Sequence, residues 1–284
     1  MRPYRISELA KKYVEYDMIQ AHTELPTFPD SRIRLLYAFL SHNPPSERHS
    51  ELYSLVTSLV QMGMDTHDTI DTDLDKRPEN EMRSRQLKVL AGDYFSSRFY
   101  QLLSQAGQMD MISRISEAVC EVNRLKVNLY MKMQQVKLTA EDYLSQSVQV
   151  RSELFQVFTS VLEGKLSRIW PELLSGLSRC EVVLEELQRS DSPESFHGSW
   201  AYWHIWQVGT EDERRQLELS SQEPAVVRRL LEKYEIKGQL AAKLRSSVEG
   251  ILSIGAKLDS DKLLHELRGT CDLFQRKLAS VPAL

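Results

Sequence analysis

Cysteine is scarce in this 284-residue chain and is placed without pattern. Cys120, Cys180 and Cys271 lie far apart, and none has a second Cys or His at the spacing of a metal site. Disulfide frameworks use even numbers of cysteines, whereas an odd, scattered set is typical of a reducing compartment. The cysteines therefore predict neither a disulfide scaffold nor a structural zinc site.

Long apolar runs and an excess of positive charge are missing as well. No stretch approaches the roughly 20 apolar residues that cross a bilayer, and the N-terminal segment MRPYRISELAKKYVEYD has no apolar core of the signal-peptide type. The net charge of −4 argues against a general nucleic-acid binder. We expect a cytoplasmic protein without a transmembrane segment, and leave open whether it touches a membrane peripherally.

Helical periodicity dominates what is present. Apolar residues recur every three or four positions through 112–136, with charged residues between them. Strand-like alternation is nowhere sustained, and the 11 glycines and 10 prolines mostly mark joints. The pattern predicts an all-α fold and a single helical domain over 1–284, with the polar stretch at about 189–223 as a loop or hinge. Further helical stripes occupy 51–66, 166–188, 224–237, 239–253 and 260–279.

Two carboxylates near the end of the helix predicted over 51–66 attract attention. Asp68 and Asp71 are three positions apart, so they share a helical face. Such a pair can hold Mg²⁺ together with the oxygens of a diphosphate, and Lys76 and Arg77 follow closely. The same spacing also fits a solvated helix end with ordinary salt bridges. His67 is open to both interpretations, since a lone His needs partners to bind metal.

Several segments, taken together, resemble the trans-prenyl diphosphate synthases over about 50–165. In those enzymes a helix ends in DDxxD, and an Arg-Arg pair, an AGD stretch and a helix with KTAxLF follow. The corresponding letters here are HDTID at 67–71, Lys76-Arg77, AGD at 91–93 and VRSELF at 150–155. The resemblance implies an isoprenoid-synthase-like helical bundle.

The departures from that pattern bear on activity. His67 replaces the first Asp, and Val150 replaces the Lys, although Arg151 is adjacent. A second Asp-rich motif is missing, because neither Phe155-Gln156 nor Phe274-Gln275 is followed by an acidic pair. In the enzymes both acidic walls clamp the metal and the leaving diphosphate. We therefore expect no competent metal cluster in this chain alone.

With these departures, the chain looks like a member of one family, heptaprenyl diphosphate synthase component 1, on the stretches DTHD and RQLKVLAGDYFSSRFYQLLS. The resemblance implies a non-catalytic subunit, inactive alone, in a heterodimer with a catalytic component that holds most of the Mg²⁺. The pair would extend farnesyl diphosphate with isopentenyl diphosphate to a C35 product for the menaquinone side chain. Candidates for weak contacts with prenyl diphosphates are His67, Asp68, Asp71, Lys76, Arg77 and Arg151.

Other interpretations stay open at this point. A free-standing class I isoprenoid synthase or cyclase needs a second metal motif, and the nearest candidate, Asp259 and Asp261 with Glu266, lacks the spacing. A helical scaffold without an isoprenoid role is the third hypothesis. The aromatic stretch 200–206 fits a core, a chain tunnel or a partner surface, and the stripe 112–136 fits a core or a heterodimer interface.

Overall fold

The computed structural model describes residues 3–15, 19, 23–70, 79–136, 138–190, 193–220 and 223–279. Within these residues the backbone is helical and contains no strand, which confirms the all-α prediction. None of the described helices is long and apolar enough to cross a membrane. The α-helices are Ile6–Val14 (α1), Asp30–His42 (α2), Ser50–Asp68 (α3), Glu79–Gln105 (α4), Met109–Gln134 (α5), Ala140–Gln156 (α6), Gly164–Arg189 (α7), Trp200–Val208 (α8), Glu211–Ser220 (α9), Pro224–Lys233 (α10), Ile236–Gly255 (α11) and Asp261–Ala279 (α12).

The chain divides into two compact units. Unit 1 comprises Met1–Val119 and Val157–Ser167, and unit 2 comprises Cys120–Gln156 and Arg168–Leu284. The boundaries fall within α5, at the end of α6 and within α7. A single domain over the whole chain stays a prediction, and each unit is described by itself below.

Unit 1 is built around α3, which is buried on almost every side. Its neighbours are α1, α2 and α4, and nearly every residue from Tyr53 to Met64 is buried. Hydroxyl groups can enter this interior because they bond to carbonyls of their own helix: Thr57 Oγ1 donates to Tyr53 O at 2.7 Å, and Ser58 Oγ to Leu55 O at 2.7 Å. The helix predicted over 51–66 is present, and it is buried on more sides than a single apolar stripe indicates.

Unit 2 has α7 as a long buried element. Its inward side chains recur at intervals of three and four, and the indole Nε1 of Trp170 donates to Phe155 O at 3.2 Å. Pro171 is the eighth residue of α7 and lies inside the helix, not in its first turn, so the hydrogen bond that an N–H would make there is missing. The buried apolar residues of α7 are Ile169, Trp170, Leu173, Leu174, Leu177, Cys180, Val182, Val183, Leu184 and Leu187.

The stretch 189–223 contains two helices, α8 and α9. Ser199 caps α8 by accepting a hydrogen bond from Tyr202 N–H at 3.2 Å. Thr210 and Glu213 form a capping box at α9, with Thr210 N–H donating to Glu213 Oε2 at 3.0 Å and Glu213 N–H to Thr210 Oγ1 at 3.4 Å. The polar residues described in this stretch therefore serve largely as helix caps or lie on exposed helix faces.

The aromatic side chains of α8 belong to the interior of unit 2. Trp200, Tyr202 and Trp203 are buried, and the rings of Tyr202 and Trp203 pack edge to face with centroids 5.1 Å apart. Of the three interpretations of residues 200–206, burial supports the ordinary core.

Candidate functional site

The degraded acidic motif begins in the last turn of α3. His67 is half-buried and Asp68 is exposed, and α3 ends at Asp68. The hydroxyl of Thr69 donates to Thr66 O at 2.8 Å and closes this end of the helix. Three predicted site residues, Asp71, Lys76 and Arg77, lie outside the described residues.

Glycines bring α3 and α4 into close contact beside this motif. A Cβ atom added to Gly63 of α3 would lie 3.0 Å from the carbonyl oxygen of Gly92 in α4. A Cβ atom on Gly92 would lie 2.6 Å from Cδ2 of His67 and closer still to Nε2. The imidazole therefore rests directly on the backbone of α4 at the middle residue of the AGD stretch.

This packing places Asp93 opposite His67. The distance between His67 Nε2 and Asp93 Oδ1 is 3.4 Å, and Ala91, two residues before Asp93, is buried against α3. The structure thus brings together two of the segments, HDTID and AGD, on which the resemblance to prenyl synthases depends.

A buried arginine that the sequence analysis missed lies next to the motif in unit 1. Arg32 of α2 is only 1% exposed, and its Nη1 donates to Gln61 Oε1 at 3.0 Å. Gln61 Nε2 in turn donates to Asp65 Oδ1 at 2.7 Å. The available signal was the position of Arg32 directly before the largely apolar run IRLLYAFL at 33–40. The chain of hydrogen bonds couples α2 to the last two turns of α3.

Arg151 lies in unit 2, in the middle of α6, and binds carboxylates of α7. Its Nη1 donates to Glu185 Oε1 at 2.6 Å and its Nη2 to Glu185 Oε2, a bidentate arrangement of the strong kind. Glu181 Oε2 lies 3.9 Å from Nη1. The guanidinium that the sequence suggests for diphosphate contact is thus paired within its own unit, and its role as a weak substrate contact stays a prediction.

The resemblance to prenyl diphosphate synthases implies Mg²⁺, whose ligand requirements can be set against the described side chains. Mg²⁺ takes near-octahedral oxygen ligands, usually one or two carboxylates with substrate phosphates and water. Among the described residues, no group of three or more His, Cys, Asp or Glu side chains could hold a metal ion. At the end of α3 the side chain facing Asp93 is an imidazole, which is a poor ligand for Mg²⁺. The described residues do not fit this metal.

A second polar cluster stabilises the start of α8. The carboxylate of Glu186 in α7 is buried and accepts from Tyr143 O–H at 2.9 Å, from Arg189 Nη1 at 2.9 Å and from Trp200 N–H at 2.6 Å. Burial and then the charge of Glu186 raise the pKa of Tyr143 well above its usual range. The phenol therefore stays a hydrogen-bond donor, and the cluster is structural.

Helix α5 has apolar residues on two sides. Ile115 and Val122 are buried. On the other side, which we call the outward face, Val127, Tyr130 and Met131 are 57%, 62% and 52% exposed. The exposed neighbours on this face are Cys120 and Asn123, which are uncharged, and Arg124, which pairs with Glu121. The stripe 112–136 thus contributes to a core, while the same helix offers a second apolar surface.

Solved structures of polyprenyl synthases share this fold. The decaprenyl diphosphate synthase of Rhodobacter capsulatus superposes with a TM-score of 0.69 over 98% of this chain and 95% of that one, at 15% identity. For the heptaprenyl diphosphate synthase of Staphylococcus aureus the TM-score is 0.68, covering 99% of this chain and 100% of that one, at 13% identity. The chain therefore has the isoprenoid-synthase fold, as its sequence predicts.

Sequence comparison narrows the class to a family. The family model for heptaprenyl diphosphate synthase (HEPPP synthase) subunit 1 matches residues 16–187, and the chain belongs to this family. Heptaprenyl diphosphate synthase component 1 of Geobacillus stearothermophilus is 40% identical over 88 residues, which are 31% of this chain. The match spans 37% of the length of that relative. The predicted family is thereby confirmed.

Proposed function

We propose that this chain is the accessory subunit of a two-component heptaprenyl diphosphate synthase that acts in the cytoplasm. With a catalytic component it would extend farnesyl diphosphate by isopentenyl diphosphate to the C35 product of the menaquinone side chain. Membership of the subunit 1 family supports the proposal, because that name implies a second component. The fold supports a role within a prenyltransferase.

The observation that carries the proposal is the internal pairing of groups that a catalytic chain would direct at substrate. His67 faces Asp93, and Arg151 is held by Glu185. A leaving diphosphate needs cations to neutralise the charge that develops on it. A chain that pairs Arg151 with its own carboxylate and has an imidazole where the acidic motif begins is poorly equipped for that step. We therefore assign most of the Mg²⁺ binding to the partner and expect the isolated chain to be inactive.

The outward face of α5 is our proposed contact for the catalytic component. Protein interfaces are enriched in Tyr and Met, and this face exposes one residue of each kind next to Val127. Tyr130→Asp is expected to weaken association, because it places a charge where apolar contact is proposed. Leu273→Asp on α12 is the matched control, since Leu273 is 45% exposed and also apolar. Equal binding of both variants to the catalytic component would remove the proposed contact.

Three parallel reactions test the function itself. Farnesyl diphosphate, labelled isopentenyl diphosphate and Mg²⁺ are incubated with this chain, with the catalytic component and with both, and product length is measured. We expect long-chain product only in the mixture, at C35. Native mass spectrometry of the mixture should show a heterodimer at micromolar concentration.

Two results would contradict the proposal. Only separate monomers and no gain of activity on mixing would leave the chain without a role in this reaction. Turnover by this chain alone, abolished by Asp68→Ala, would instead establish a free-standing isoprenoid synthase.

A further inference from the structure

The end of α3 is a place where a cation should be favourable. Carbonyl groups at a helix C-terminus carry partial negative charge, and Asp68 and Asp93 add two carboxylates close to this end. Lys88 of α4 already neutralises part of this charge, since its Nζ donates to Thr69 O at 3.4 Å. The described side chains at this end nevertheless form no group of three or more ligands that could hold a metal ion.

We propose that the imidazole of His67 keeps Mg²⁺ and Mn²⁺ from the end of α3 because it puts a nitrogen donor where these ions need a carboxylate, so that a carboxylate at this one position creates a metal site there. The proposal goes beyond the subunit's role in catalysis, because it concerns metal binding by the isolated chain. It follows from the mismatch between Mg²⁺ and the donors that the structure places at this position.

The position of the ring carries the argument. The imidazole lies against Gly92, where even one added carbon would collide with it, and Gly63 lets α3 approach α4 closely enough to hold it there. Its Nε2 lies 3.4 Å from the Asp93 carboxylate. A metal bound by Asp93 from this side would have to displace a ring that is packed on the backbone of α4.

An aspartate at position 67 would change both the shape and the charge of this site. It is shorter than histidine, and its oxygens are the donors that Mg²⁺ and Mn²⁺ prefer. Two carboxylates facing each other from α3 and α4 repel unless a cation lies between them. The carboxylates at positions 67 and 93 would then be two ligands for one divalent ion.

Manganese binding by the isolated chain tests this, with the electron paramagnetic resonance signal of free Mn²⁺ as the readout. The wild-type chain is expected to show no saturable site at millimolar Mn²⁺. His67→Asp should gain one saturable site, because it adds a charged oxygen ligand. Excess Mg²⁺ should release the bound Mn²⁺. His67→Glu, whose longer stem keeps apolar contact with Gly92, carries the same expectation.

The controls separate this effect from a simple gain of negative charge. His67→Asn has the shape of aspartate without its charge and should not bind. His42→Asp adds a carboxylate in the last turn of α2 and should not bind either. His67→Asp combined with Asp93→Asn should lose the new site, and circular dichroism should show unchanged helicity throughout.

Three outcomes would overturn the inference. The first is a saturable Mn²⁺ site in the wild-type chain. The second is binding by His67→Asp and His67→Glu that is no tighter than binding by His67→Asn. The third is a new site that survives the loss of the Asp93 carboxylate. None of these depends on the partner, so the inference and the proposed function can fail separately.

Discussion

Substitution of Gly63 by alanine examines the contact between α3 and α4 on which the candidate site depends. A Cβ atom at position 63 would lie 2.6 Å from Ser96 Oγ, 3.0 Å from Gly92 O and 3.4 Å from Ser96 N. The hydroxyl can rotate away, but the carbonyl oxygen belongs to the backbone of α4. The two helices would therefore have to separate slightly.

The expected magnitude follows from two opposing terms. Alanine within a helix is favoured over glycine by about 1 kcal/mol, whereas overpacking of a close contact costs about 1–3 kcal/mol. Because the obstacle is backbone, we expect the second term to prevail, with a net loss of about 1 kcal/mol.

The same change at Gly250 of α11 meets nothing within 4 Å. Gly250→Ala should therefore stabilise its helix by about 0.5–1 kcal/mol.

Urea unfolding followed by circular dichroism measures both variants against the parent chain. The sign of the change is the result that matters: Gly63→Ala should lower the free energy of unfolding and Gly250→Ala should raise it. An equal stabilisation by both would refute the reasoning, because it would mean that α4 is not close enough to Gly63 to feel a methyl group.

Three further substitutions have expected outcomes in the same assay. Glu186→Gln should lower the free energy of unfolding by about 2–3 kcal/mol, because buried hydrogen bonds to a charged acceptor are weakened. Arg32→Ala should lower it by about 3 kcal/mol or more, because it leaves a cavity and removes the donor to Gln61. A hydrogen bond from Lys233, with further ones from a tyrosine and a threonine, lowers the pKa of Glu213 from 4.5 to about 2. Its carboxylate thus contributes stability above about pH 4.5 that is lost as pH falls towards 2, and Glu213→Gln should flatten this part of the pH profile.

Matched controls accompany these three variants. Glu172→Gln changes an exposed carboxylate of the same helix as Glu186, and Arg34→Ala removes a more exposed partner of an ion pair. Each should change stability by less than about 1 kcal/mol. Glu211→Gln lies in the same first turn as Glu213 but pairs only at the surface, so its pH profile should match the parent. A Glu186 or Arg32 effect no larger than that of its control, or an unchanged profile for Glu213→Gln, would contradict the corresponding account.

The helices were predictable where one face is apolar and the other charged. In α7 the buried Leu173, Leu177 and Leu184 follow helical spacing, and the sequence indicates both the helix and its buried side. The same criterion finds α3 as a helix but not its burial on almost every side, since its serines and threonines count as polar. Their hydroxyls bond within the helix, and periodicity carries no information on that. Similarly, Thr210 and Glu213 of the polar segment 210–213 form a capping box, which hydropathy does not reveal.

The candidate site was predictable as a set of segments but not as a set of contacts. The order of HDTID and AGD along the chain suggests that they belong together, yet the contact of His67 with Gly92 follows from how two helices cross. The pair of Arg151 and Glu185 joins residues 34 positions apart on different helices. Arg32 escaped notice because an arginine beside an apolar run is ordinarily a surface residue, as the half-exposed Arg34 two positions on is.

The hydroxyl groups inside α3 have a consequence for how this helix can change over evolutionary time. Thr57 and Thr66 donate to carbonyls that already accept a bond from their own helix, so replacing either hydroxyl with a methyl group leaves no acceptor unsatisfied. Ser54 is fully buried and its hydroxyl has no described partner. Relatives can therefore exchange hydroxyl and apolar residues at these positions one at a time, without a compensating change in a neighbouring helix, and the centre of the bundle can vary in sequence while its backbone stays where it is.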